Sequence, residues 1–186
     1  MLTALSRRLD CALVEFSGGA FVRLGSRSPK DTPLAILTGC RAERGQDVIR
    51  LLTDGSRRIF HDLWIALRNN HQPWIFLREW HDIAWTREWR CFLRDGRLVG
   101  ISQYHLKWTI DANDRERLQQ SLPSIQRIMM TLDREMGREP MVFDVGLDIE
   151  STRSVTLIEL NPWGPPTEAG LFSWAANDFD GSVRTR

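Results

Sequence analysis

The chain has 186 residues, 42% of them hydrophobic and 26% charged, enough for one ordinary domain or two small lobes with a real core. A formal net charge of +1 gives no overall field toward nucleic acid or an anionic membrane, and no apolar run is long enough to span a bilayer. Three scattered cysteines and four histidines form neither a disulfide framework nor a metal-ligand pattern. With no signal-peptide core in MLTALSRRLDC, a reducing, cytoplasmic setting is expected.

In chain order, a short N-terminal helix or coil leads into ALVEFSGGAFVRLGS, which reads as two strands around Gly18-Gly19. GSRSPKDTP is a polar loop, and helical spacing returns over 43–53 and 57–69, where Ile59, Leu63, Trp64 and Leu67 recur on one side. WIFLREW, 74–80, is a strand that starts apolar and ends charged. TREWRCFLRDGRLVGISQYH carries Asp95-Gly96, the pair a two-residue type I′ turn prefers, and predicts a hairpin. With that turn and a regular ladder, Glu88 faces Gln103 and Arg90 faces Ile101, so Glu88, Arg90 and Gln103 share a face. Residues 112–136 read as an amphipathic helix that Pro123 should break or restart. MVFDVGLDIE and VTLIELNPW form a last hairpin with its turn at Ser151-Thr152, and NDFDGSVRTR reads as a frayed tail.

The last hairpin holds the chemistry. In VTLIELNP, Glu159 and Asn161 interrupt a strand whose other residues favour burial. The simplest register sets Asp144 opposite Glu159 and Val142 opposite Asn161, so that two carboxylates and an amide converge. Opposed carboxylates repel unless a cation lies between them, and Mg2+ favours such oxygen ligands together with substrate phosphates. Arg23, Arg78 and Arg90 could neutralise phosphate charge, and the strand end LREW could offer Trp80 to a flat base. Structural ion pairs account for such a cluster equally well. No Ser/His/Asp or Cys/His arrangement competes with it.

AFVRLGSRSPKD, LREW…EWRCFLRDGRLVGISQY and FDVGLDIESTRSVTLIELNPWG…LFSW follow one another as in the cell division cycle protein 123 family, from about Phe21 to Trp174. The resemblance implies an α+β, ATP-grasp fold: two small lobes with largely antiparallel sheets and the nucleotide between them. The lobes would be 12–77, shortened, and 78–176, with 177–186 as a tail. It implies ATP and Mg2+ as cofactors, with the metal at Asp144, Glu159 and Asn161 (glutamate standing for the family's second aspartate). Arg23 takes the place of the family's usual lysine, Lys30 lies in what resembles the phosphate-covering loop, and Arg90 looks like a phosphate contact. Arg78, Glu79 and Trp80 resemble the adenine hinge. Two functions follow from the resemblance: an ATP-dependent carboxylate-amine or carboxylate-thiol ligase, or an ATP-dependent assembly factor for a translation initiation factor or other complex. The partners would be ATP and a protein, with neither nucleic acid nor membrane.

Overall fold

The computed structural model describes residues 2–25, 27–148 and 154–186. They divide into two compact units, Met1–His81 and Asp82–Arg186.

The first unit begins with α1 (Leu2–Leu13). The helix buries Leu9 and Leu13, and this apolar demand carries it through Ala12-Leu13, where a strand was expected. Phe16 and Gly19 then close two turns into β1 (Ala20–Leu24), so only the second of the two expected strands exists. β1 is the centre of an antiparallel sheet, ordered β2-β1-β3, between β2 (Arg41–Ala42) and β3 (Ile75–Glu79). Ala20, Val22 and Leu24 face a core built with Leu9, Leu13, Val48, Leu51 and Ile59.

At the end of the loop expected over 25–33, α2 (Pro33–Thr38) is started by Pro33 and by Thr32, whose hydroxyl accepts the Ala35 N–H. α3 (Gly45–Thr53) and α4 (Arg57–Arg68) occupy the two helical segments expected there. Gly45 is required by close approach: a Cβ there would press on the Ser6 carbonyl group of α1. The Asp10 carboxylate accepts the Gly45 N–H at 2.6 Å, so α1 caps α3.

The second unit is a five-stranded sheet ordered β7-β6-β4-β5-β8, covered on one face by α5 (Ala112–Glu135). Its strands are β4 (Glu88–Arg94), β5 (Arg97–Gln103), β6 (Met141–Leu147), β7 (Val155–Pro162) and β8 (Val183–Arg184). Neighbours are antiparallel except β8, which runs parallel to β5. The fold class is therefore mixed α+β with mainly antiparallel sheets. α5 runs through Pro123 without the expected break. Leu118, Ile125, Met129 and Leu132 all pack on the sheet, which outweighs the one backbone hydrogen bond that proline forfeits.

Two bulges set the side-chain directions. In β4–β5 the ladder shifts between Phe92 and Leu93, so Arg94 faces Arg97 as expected but Arg90 faces Ser102 and Trp89 faces Gln103. Gln103 therefore lies on the α5 side, not beside Arg90 as a regular ladder required. In β6–β7, Asp144 faces Glu159 and Val142 faces Asn161, as the sequence reading has it, while Val145 faces Leu157. Ile158 is the extra residue. The turn expected at Ser151-Thr152 lies outside the described residues.

The C-terminal segment is not frayed. Residues 163–182 fold over the sheet face opposite α5, where Trp163, Phe172, Trp174 and Phe179 surround Phe92. Phe172 lies where a side chain on Gly100 would be, and β8 then pairs with Ile101 and Ser102. Arg184 ties the segment down through Asp178 at 2.6 Å and Asp180 at 3.3 Å. The Arg184 hydrogen bond holds the Asp178 carboxyl below its usual 3.8, and the Ser182 hydrogen bonds pull Asp180 down to about 2. A depressed folded-state pKa stabilises above the unfolded value and ceases to do so as pH falls through the folded one. Acid titration from pH 5 to 2 followed by tryptophan fluorescence should therefore report loosening of the tail between about 4 and 2. Arg184→Ala should move that transition to higher pH.

Trp89 is fully buried, whereas Trp74, Trp85 and Trp108 are exposed over more than half their surface.

Candidate functional site

The bulge at Ile158 builds the site. Val155, Leu157, Glu159 and Asn161 are spaced two apart and in a regular strand would share one face. One inserted residue reverses the alternation. Val155 and Leu157 pack with the α5 core, while Glu159 and Asn161 emerge on the opposite face beside Asp144.

There a polar row crosses the sheet, formed by Ser102 of β5, Arg90 of β4, Asp144 of β6 and Glu159 of β7, each facing the next. Asp144 is 1% exposed and Arg90 7%. The Arg90 guanidinium forks onto Asp144, with Nε donating to Oδ1 at 2.8 Å and Nη2 to Oδ2 at 2.9 Å. The Asn161 amide donates Nδ2–H to the same Oδ2 at 3.1 Å. A carboxylate has about four lone-pair sites, so Asp144 keeps one, on Oδ1. Arg90 Nη1 donates to the Glu168 carbonyl at 2.8 Å, and its guanidinium lies over the Tyr104 ring at 4.7 Å from the centroid.

Burial pushes the Asp144 carboxyl above its ordinary value, against the pull of Arg90. Burial also opposes charge on Arg90, but the Asp144 hydrogen bonds and charge outweigh it and raise the guanidinium pKa. The Tyr104 hydroxyl is pushed up to about 12, chiefly by burial and then by Glu88 and Asp144, so it stays a neutral donor. Glu88 is engaged elsewhere, with His105 Nε2 at 2.9 Å from its Oε2.

The C-terminal segment walls the row. Leu171 N–H donates to Ser102 Oγ, Thr167 Oγ1 donates to the Pro162 carbonyl, and Trp174 Nε1 donates to the Thr167 carbonyl. Next to Asp144, Gly146 leaves the space that Ile83 fills. Ser102, Tyr104, Thr167 and Ile83 are thus parts of this surface that the sequence reading did not single out. Ser102 of β5 and Tyr104, one residue past its end, are two apart and could have been found, but only with the Val99 region read as a bulge.

The other expected residues lie in the first unit. Arg23 and Arg78 sit with Phe76 on the pleat opposite to that of the core residues Val22 and Leu77, and Arg23 faces Phe76. Glu79 has the opposite pleat. Trp80 donates Nε1–H to the Gly39 carbonyl at 3.2 Å and carries the Arg41 guanidinium over its ring at 4.9 Å. Lys30 is exposed in the loop before α2. Asp144, Glu159, Asn161 and Arg90 are brought together. Among the described residues, no group of three or more His, Cys, Asp and Glu side chains is placed to hold a metal.

A family model described as D123 matches residues 1–180. The chain belongs to the D123 family. The match takes in α1 and the residues before Phe21, beyond the Phe21–Trp174 stretch that carried the resemblance. D123 relatives include a "Translation initiation factor eIF2 assembly protein" of Botryotinia fuckeliana, 28% identical over 91% of this chain and 44% of its own length. A Schizosaccharomyces pombe protein of the same name is 26% identical over 90% of this chain and 54% of its own. The chain thus spans about half the length of the curated relatives it matches. The solved structure of Cdc123 from Schizosaccharomyces pombe superposes with a TM-score of 0.73 at 24% identity, over 96% of this chain and 76% of that one. This likeness shows that the D123 fold is shared.

Proposed function

We propose that this chain is an assembly protein for a translation initiation factor, gated by ATP and Mg2+ bound in an ATP-grasp arrangement. Assembly rather than ligation is the reading that the names of the relatives support. The observation that carries the nucleotide site is the reversal at Ile158, which turns Glu159 and Asn161 toward Asp144 on a face otherwise walled by aromatic residues. A bulge that re-aims two polar side chains out of an apolar strand is a costly feature unless the side chains are used.

The residues fit a hard cation. Asp144 Oδ1, the Glu159 carboxylate and Asn161 Oδ1 supply oxygen alone, and Asn161 has turned its Nδ2 to Asp144, which leaves the amide oxygen for a ligand. Mg2+ would supply charge neutralisation for nucleotide phosphates. The protein's own contribution is positional. Arg90 fixes the Asp144 carboxylate, Glu168 and Tyr104 fix Arg90, and the buried setting strengthens each of these interactions.

The test is calorimetric titration of ATP with and without Mg2+. Wild-type protein should bind only with Mg2+, and Glu159→Gln and Asn161→Ala should each weaken binding at least about tenfold. Both positions are half-buried, so the variants should stay folded. A folded wild type that takes up no nucleotide would refute the site.

A further inference from the structure

Helix α4 leaves an apolar ridge outside the first unit. Of its 12 residues only Ile59 and Ala66 are buried, whereas Phe60 is 71% exposed, Leu67 80%, Trp64 44% and Leu63 40%. Positions 60, 63, 64 and 67 stand at i, i+3, i+4 and i+7 and so form one continuous stripe along about 11 Å of helix. By the same spacing, the stripe is bordered on one side by the buried sector of Ile59 and Ala66. On the other side it is bordered by Arg57, His61 and Arg68. The Arg68 guanidinium lies over the Trp64 ring at 4.2 Å, which joins the basic border to the stripe. Among the described residues, neither Arg57 nor Arg68 enters an ion pair.

The ridge is a fixed surface, not a fraying end. Ser56 caps α4 by accepting the Ile59 N–H at 3.2 Å, and its hydroxyl is itself held by Asp31. Two aromatic and two aliphatic side chains in one exposed stripe exceed the scattered apolar residues of an ordinary surface and mark an interaction site.

We propose that the α4 ridge is the docking site for an acidic amphipathic helix of a protein partner, an inference that rests on the assembly reading. A straight stripe at helical spacing accepts the apolar edge of a second helix, ridges into grooves. Phe60 and Trp64 are the anchors, and partner carboxylates stand over Arg57 and Arg68. An anionic membrane is the weaker match, because a net charge of +1 gives the chain no attraction to it.

The experiment is selection of a helix-biased peptide library on phage against the whole chain, followed by affinity measurement of the selected peptide. Enriched peptides should carry apolar residues at helical spacing flanked by Asp and Glu. Phe60→Asp combined with Leu67→Asp should weaken the selected peptide about a hundredfold. Arg57→Glu combined with Arg68→Glu should weaken it about tenfold and flatten its salt dependence. The proposal is overturned by an absence of enrichment, by enriched peptides that are neutral or basic, or by binding indifferent to these variants. It is equally overturned if the ridge instead mediates dimerisation of the chain, or binds phosphatidylserine vesicles in place of peptide. ATP titration of the same variants separates the two readings. Unchanged nucleotide binding without peptide binding removes only the docking ridge, and peptide binding by a wild type that takes no ATP removes only the nucleotide site.

Discussion

Arg90→Ala should lower the stability measured by urea unfolding by about 3–5 kcal/mol. Asp144 sits 1% exposed with two of its hydrogen bonds coming from Arg90, and removing the guanidinium leaves a buried carboxylate with only the Asn161 amide. A domain with about 5–15 kcal/mol of total stability would lose about a fifth or more. Arg90→Lys should fall between, since a point charge cannot reproduce the fork. The double variant Arg90→Met, Asp144→Leu should recover most of the loss, because an apolar pair owes no desolvation penalty for charge. The cycle of single and double variants then gives the coupling energy directly. A loss under 1 kcal/mol for Arg90→Ala would mean that water reaches Asp144 and that the pair is a surface one. The double variant should also take up no Mg2+-nucleotide while remaining folded, which separates the pair's part in stability from its part in binding.

The sequence made the polar residues of the site visible but not the geometry that unites them. Glu159 and Asn161 stood out because charge in an apolar strand needs a reason, and the register Asp144 to Glu159 follows from the simplest hairpin. That register is nevertheless reached through a bulge, which side-chain alternation does not reveal: Val155 and Leu157 have the same parity as Glu159 yet face α5. In β4–β5 the same kind of irregularity works against the sequence reading, since Asp95-Gly96 fixes the turn but not the register beyond Phe92. The helix breaker at Pro123 and the polar look of NDFDGSVRTR mislead for a related reason. Each is a local signal overridden by packing, of α5 on the sheet and of Phe179 on Phe92. Long-range contacts of this kind leave no periodic trace. The polar loop before Pro33 hid α2 because a six-residue helix shows little periodicity, although Thr32-Pro33 is a legible start signal.

Deleting Ile158 should cost more than any side-chain truncation on β7. Without the extra residue, β7 returns to strict alternation, and the ladder can satisfy only one half of the strand. If the pairing of Glu159 with Asp144 is kept, Val155 and Leu157 turn away from Leu132, Ile128 and the rest of the α5 core. If the pairing of Leu157 with Val145 is kept, Glu159 and Asn161 turn into that core without the partners they have beside Asp144. The first outcome exposes two apolar side chains and the second buries a carboxylate, so either costs about 3 kcal/mol or more. Ile158→Ala keeps the residue count and should cost about 1 kcal/mol, because the bulge depends on the number of residues and not on the isoleucine side chain. Urea midpoints of the two variants compare these costs directly, and Mg2+-dependent ATP binding by Ile158→Ala should match that of wild type. A deletion variant as stable as wild type would show that the face reversal carries no strain, and the case for a selected site on this face would lose its structural footing.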